Sequence, residues 1–210
     1  MLISTLFESP QMFLIVVMAI VYALTIHEFS HAAAATYLGD NTAKYNGRLN
    51  LNPMSHLDVF GTLMLLFAGF GWGKPVPVNT HNLRWRKWGD SVVSLAGPFS
   101  NFISGFIFIL IYKGLSGVLP WDNLVFVFLI YLIFVNFILG IFNLIPIPPL
   151  DGSHVLFNLI SDKYADFKRK FAINGPWILL ILLIMDNFLG FNIFGHIFGF
   201  FEDIIWKILA

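Results

Sequence analysis

The 210-residue chain contains no cysteine and little charge, with Asp, Glu, Lys and Arg together making up 11% of it. Without cysteine there can be no disulfide staples, no thiolate metal site and no cysteine nucleophile, so any metal must be held by His and carboxylates. A water-soluble domain would be roughly 25% charged, and this chain cannot cover a surface that faces water on all sides. Twelve Lys+Arg balance twelve Asp+Glu and no acidic or basic tail is present, so the uniform positive field used by nucleic-acid binders is absent and no nucleic-acid partner is expected. A cleavable signal peptide is not expected either. The first residues carry Glu8 and no Lys or Arg, and no A-x-A site follows a short apolar core.

What is present is 58% hydrophobic residue, including 24 Phe, and it is organised in long runs. A bilayer core of ~30 Å needs about 20 apolar residues as helix. Four regions qualify: residues 9–38, interrupted at His27 and Glu28; 91–112; 123–150; and 171–201, broken by Asp186 and His196. Residues 59–73 are uncharged but short and end in Ala68-Gly69-Phe70-Gly71-Trp72-Gly73, a glycine density that breaks a helix and reads as a re-entrant or interfacial segment.

Ten of the twelve cations fall in residues 39–90 and 151–173, and only Lys113 and Lys207 lie elsewhere. The positive-inside rule puts both stretches in the cytoplasm. Asn46-Gly47 between two short segments predicts a type I′ hairpin, and Pro75 and Pro77 restrict Lys74–Asn79 to extended chain. The expected fold is therefore an α-helical polytopic membrane protein with about four transmembrane helices, a re-entrant segment and a small cytoplasmic-side β-sheet. The final stretch, with Glu202, Asp203 and Lys207 among Phe, Ile and Trp, reads as an interfacial amphipathic helix.

The informative charges are those inside the first span. On a helix, His27 and His31 of His27-Glu28-Phe29-Ser30-His31 lie on one face a turn apart and can present two imidazoles to one cation, with Glu28 beside them. An ionised group at mid-bilayer costs ~2.5–3.5 kcal/mol, so three titratable residues in five positions behind an uncharged run demand compensation. The competing reading is that the span ends at Ile26 and these residues are interfacial.

A catalytic zinc typically takes three protein ligands and keeps one position open. Asp151 closes the third apolar run in Asn143-Leu-Ile-Pro-Ile-Pro-Pro-Leu-Asp151-Gly152, on the same side as His31. It reads either as the third ligand or as a helix N-cap. One Zn²⁺ with Asp151 and Glu28 sums to zero formal charge, which favours a single divalent cation.

These residues resemble the site-2 protease family of intramembrane zinc metalloproteases. The resemblance rests on His27-Glu28-Phe29-Ser30-His31 and on Asn143 through Gly152, which fits the N-x-x-P-x-P-x-L-D-G element. It is supported by Gly47-Arg48, Leu51-Asn52-Pro53, Gly73-Lys74-Pro75-Val76-Pro77-Val78-Asn79, Ala96-Gly97-Pro98 and Asn101.

The resemblance implies zinc held by His27, His31 and Asp151, Glu28 as acid/base, and Asn143 as a polar contact to substrate or intermediate. It also implies a minimal form without a PDZ-like or nucleotide-sensing (CBS) domain, acting on single-span membrane proteins already shortened by another protease. On this reading residues 1–155 form the membrane-embedded metalloprotease core and 156–210 a C-terminal membrane segment with an amphipathic end. The site would lie near the cytoplasmic face of a multi-pass protein in contact with membrane lipid.

Two alternatives stay open: a membrane metal-binding or transport protein, and an inactive relative that binds membrane proteins. Asn143 has its own plainer reading as a helix-to-helix hydrogen bond. Gly97, Pro98 and Asn101 read as helix packing, His56 and His81 as solvated, His154 as a substitute ligand of low rank, and His196 as interfacial. The sequence carries no oligomeric state.

Overall fold

The computed structural model describes residues 2–118, 120 and 123–209, with the side chains of 187–189 left out of that description. It is mainly helical. α1 (Leu2–Glu8) leads into α2 (Pro10–Tyr37), which starts at a proline after the extended Ser9 and contains neither glycine nor a second proline. It ends where Gly39 adopts φ +106°, a conformation that glycine tolerates and other residues avoid. α3 (Thr42–Tyr45) is a single turn, and α4 (Val59–Ala68) is capped by Asp58 accepting from Gly61 N–H. α5 (Gly89–Leu115) and α6 (Leu124–Asn143) follow. The chain ends with α7 (Gly152–Leu159), α8 (Ala165–Leu189) and α9 (Ile193–Leu209).

Among the described residues three helices are long and apolar enough to cross a bilayer: α2, α5 and α6. They pack pairwise. Small residues set the spacing between α5 and α6. Gly105 receives the Phe137 ring and Gly140 receives the Phe102 ring, and a Cβ at either would sit 2.6 or 2.8 Å from it. Ala19 on α2 is fully buried against Leu129 and Leu132 of α6. In lipid, where apolar burial between helices gains little, such close approach is what associates them.

The expected re-entrant stretch is a helix followed by a returning chain. α4 stops at Gly69 in the left-handed region, and the chain then runs back so closely that a Cβ on Gly61 would strike the Trp72 backbone. The expected fourth apolar region is divided in two. Gly190, at φ +71°, ends α8, and α9 turns back, with Phe194 N–H donating to Asp186 Oδ1 at 3.1 Å. Leu179 of α8 and Phe194 of α9 bury Leu150, while Ile205 and Leu209 pack with Ile109 and Ile133 of α5 and α6.

The cytoplasmic β-sheet is not formed. Among the described residues there is no strand, only an isolated antiparallel bridge between Leu57 and Gly73. The Asn46-Gly47 pair is used differently from a hairpin: Thr42–Tyr45 closes a helical turn, Gly47 takes φ +66° just past it, and Arg48 N–H returns to Ala43 O at 2.9 Å. A positive φ serves a helix C-terminus as well as a type I′ turn, and here the helix wins. Lys74–Asn79 is extended, as the prolines require, but without a strand partner.

Candidate metal centre

α2 holds His27, Glu28 and His31 on its inner face, all buried. α5 can approach them because residue 97 is glycine: a Cβ there would strike His31 Nε2 and stand 2.7 Å from His27 Cε1. The third member comes from the proline-rich turn after α6. That turn folds back so tightly that a Cβ on Gly152 would stand 2.8 Å from Ile145 O and collide with the Leu144 carbonyl, which is why glycine follows Asp151. Asp151 occupies the position before α7 but caps nothing with its side chain. Its Oδ2 instead faces His27 Nε2 at 3.2 Å and His31 Nε2 at 3.4 Å. His27, His31 and Asp151 thus form one cluster, with one candidate ligand atom each within 4.8 Å of the others.

The hydrogen bonds decide what that cluster can hold. His31 Nδ1 lies 2.8 Å from Val93 O, a carbonyl that can only accept, so Nδ1 carries the hydrogen. His27 Nδ1 lies 2.7 Å from Asn101 Oδ1. The Asn101 amide nitrogen is committed to Ala23 O at 3.0 Å and Asn136 Oδ1 at 2.9 Å, so its oxygen is the acceptor and His27 Nδ1 is again the donor. With Nδ1 the donor on both rings, it is Nε2 of each that faces Asp151 Oδ2 and is available to a metal, and that oxygen is buried without a well-aligned hydrogen-bond partner. Three potential ligand atoms meeting at one point need positive charge among them, which protons or a metal ion supply. Two imidazoles and one carboxylate are the donor set of a catalytic zinc site with an open position.

Glu28 is outside that ligand set and lies against the extended segment that starts at Gly73. This segment is held from two sides. The buried Arg48 guanidinium donates to Lys74 O at 2.5 Å and Pro75 O at 3.0 Å; burial lowers its pKa and the nearby Glu28 opposes that shift. Asp40, fully buried just past α2, accepts from Asn79 N–H at 2.7 Å, Asn82 Nδ2 at 3.0 Å and Thr42 Oγ1 at 2.5 Å. Burial alone would raise the Asp40 carboxyl, but these donors outweigh it and hold the group below the ordinary carboxylate range.

Asn143 is not in the cluster: its amide nitrogen donates back to Leu139 O of its own helix at 3.0 Å. His154 is also elsewhere, with Nδ1 2.8 Å from Asp90 Oδ2 at the start of α5. His81 and His196 are exposed. His56 corrects the expectation of a solvated side chain: it is fully buried, with Nε2 2.8 Å from Asn50 O inside the loop that wraps Lys74.

Asn101 was expected to serve packing and instead joins three helices by hydrogen bonds, and Asn136 was not singled out at all. Its available signal is an amide in the middle of an apolar run, seven residues before Asn143.

Residues 120–184 match peptidase family M50. The chain is 41% identical over 173 residues to a putative zinc metalloprotease, YwhC, of Bacillus subtilis (strain 168), covering 80% of this chain and 79% of that protein. It is 28% identical over 201 residues to the putative zinc metalloprotease Rip2 of Mycolicibacterium smegmatis, covering 90% and 74%. A shorter match, 35% over 115 residues and 50% and 44% of the two chains, is to the protease RseP of Photorhabdus luminescens. No solved structure matches the chain.

Proposed function

The chain belongs to peptidase family M50, the site-2 proteases, and from that membership we propose an intramembrane zinc endopeptidase that cuts peptide bonds within or near the transmembrane segments of other proteins. The observation that carries the proposal is the convergence of His27 Nε2, His31 Nε2 and Asp151 Oδ2, the donor set of a catalytic zinc site, inside an apolar three-helix bundle. These three residues hold one zinc ion.

Zinc, when bound, polarises the scissile carbonyl and lowers the pKa of a water from ~15.7 to about 7. Glu28 acts as the acid/base: a carboxylate oxygen takes the proton of the attacking water as its oxygen bonds to the scissile carbon. The same group returns the proton to the amide nitrogen as the carbon–nitrogen bond breaks. Asn143, at the inner end of α6, turns its amide toward the substrate when the site is filled, giving up the bond to Leu139 O.

A peptide bond can be attacked only once it has left helical hydrogen bonding, because a helix commits its carbonyls to i→i−4 bonds. The extended chain at Lys74–Asn79 provides the partner for an unwound substrate. Within it, Lys74 O, Pro75 O and Asn79 N–H are already used and two residues are prolines, so Val76 and Val78 offer the backbone groups for pairing. Substrates are single-span proteins already shortened by another cut.

The protein is multi-pass. With α2, α5 and α6 as crossings, the positive-inside rule supports a cytoplasmic side for both basic stretches and for the metal centre near them. α9 lies along this bundle, its start against Phe142 at the end of α6 and its last turn against Ile109 and Ile133, which supports a fourth membrane-embedded segment.

The test is Glu28→Gln in the purified, detergent-solubilised protein, assayed for bound zinc and for cleavage of a single-span test substrate. Zinc retained with cleavage lost is the expected result, and full cleavage removes Glu28 from the mechanism. Asp151→Ala is expected to lose zinc, and full occupancy in that variant removes Asp151 from the ligand set.

A further inference from the structure

We infer that Asn136, which lies on α6 and touches no ligand atom, is a positioning residue for the metal centre and acts through Asn101 on His27; the inference rests on reading His27 as a zinc ligand. The chain of bonds has one direction. Leu132 O can only accept, so Asn136 Nδ2, 2.7 Å away, donates to it and Asn136 Oδ1 is left facing α5. That oxygen accepts from Asn101 Nδ2 at 2.9 Å, while Ala23 O takes the other amide hydrogen at 3.0 Å. Asn101 Oδ1 can then only accept, at 2.7 Å, from His27 Nδ1.

The tautomer of His27 is thus held from two sides, by Ala23 O on its own helix and, two amides away, by Leu132 O on α6. Reversing either amide would set oxygen against oxygen at Ala23 or Leu132. Both asparagines are fully buried, so water does not stand in for a lost partner. The relay explains why two amides are present in spans where each unpaired polar group is costly. Together they join α2, α5 and α6 at the level of the site and hold the His27 ring with Nε2 toward Asp151. His31 needs no such device, because Val93 O meets it directly.

The experiment measures zinc affinity by chelator competition, and the absorption spectrum of the cobalt-substituted protein, for Asn101→Leu, Asn136→Leu and the double variant. Loss of an outer-shell partner typically costs 10–100-fold in metal affinity, so about that loss is expected for Asn101→Leu, with about tenfold for Asn136→Leu. The double variant should match Asn101→Leu alone, because Asn136 has no path to the metal except through Asn101. The cobalt spectrum should shift in both single variants.

Wild-type affinity and spectrum in Asn136→Leu, or strictly additive losses in the double variant, overturn the relay. Absence of zinc binding in the wild-type protein would instead overturn the metal reading on which it rests. If Asn136→Leu does not fold, Asn136→Ala removes the same amide at smaller volume change and is read against the same outcomes.

Discussion

Gly73 lies directly over the Glu28 carboxylate: a Cβ at residue 73 would stand 3.2 Å from Glu28 Oε1 and 2.9 Å from Leu24 Cδ1. The glycine is what lets the extended segment pass across the helix that carries the acid/base. Gly73→Val is therefore expected to displace Glu28 or the segment while leaving His27, His31 and Asp151 in place. Cleavage should fall at least tenfold, equivalent to ~1.4 kcal/mol in the barrier, with zinc content unchanged. Wild-type turnover in this variant would show that the segment does not border the reacting groups.

Gly97 makes the complementary prediction. Its missing Cβ leaves room for the two imidazoles, and alanine there would collide with His31 Nε2 and press on His27 Cε1. Alanine is the better helix former by about 1 kcal/mol, so α5 itself should not suffer. Gly97→Ala should thus lose zinc while retaining helical circular dichroism. Wild-type zinc content in folded Gly97→Ala would show instead that the glycine does not set the space for the two imidazoles.

The sequence exposed the parts of this site whose chemistry is local. Two histidines at i and i+4 are placed on one face by helix geometry alone, and a lipid environment makes them hard to explain without a cation. Pro146, Pro148 and Pro149 mark the end of α6, and the turn they build delivers Asp151. What stayed hidden depends on the registry of separate helices. Asn101 and Asn136 are 35 residues apart and meet only because Gly105 and Gly140 set how α5 and α6 interlock.

The sheet was misread for a different reason. Asn46-Gly47 advertises a positive φ, which a helix terminus and a hairpin both use. What settles it is Asp40, whose carboxylate takes Thr42 N–H at 3.1 Å and starts a helical turn there. His56 was read by its loop, and its burial follows from the chain around it: Lys74 N–H donates to His56 O at 2.8 Å.

Arg48 supports the segment that borders Glu28, so its removal should be felt in the cleft and in stability together. Arg48→Met keeps much of the stem volume but leaves Lys74 O and Pro75 O without their charged donor. A destabilisation of about 2–4 kcal/mol is expected, with cleavage reduced and zinc bound as before. Arg48→Lys, which offers a single ammonium in place of a two-pronged donor, should recover only part of both losses. Thermal unfolding and zinc analysis of the two variants check this, and equal behaviour of Met and Lys would argue against a fork-shaped contact.

The pair His154 and Asp90 ties α7, which begins just after Asp151, to the first turn of α5, which leads on to Val93 and Asn101. The hydrogen bond to the Asp90 carboxylate raises the His154 pKa; burial opposes that rise, and the Asp90 charge adds to it. Because the folded value is the higher one, the tie contributes its full stability below the unfolded histidine pKa of ~6.5 and loses it as pH rises through the raised folded value. Asp90→Asn removes the charge and keeps the shape. The thermal midpoints of wild type and Asp90→Asn should differ most below the unfolded histidine pKa of ~6.5 and converge above the raised folded value, where His154 is neutral in both. A gap between them that does not change with pH would mean that the contact acts through packing alone. Zinc affinity of both proteins should rise with pH as the ligands lose their protons, and because α7 follows directly on Asp151, wild type should gain less over the same interval than Asp90→Asn, which links the tie to the metal centre as well as to the fold.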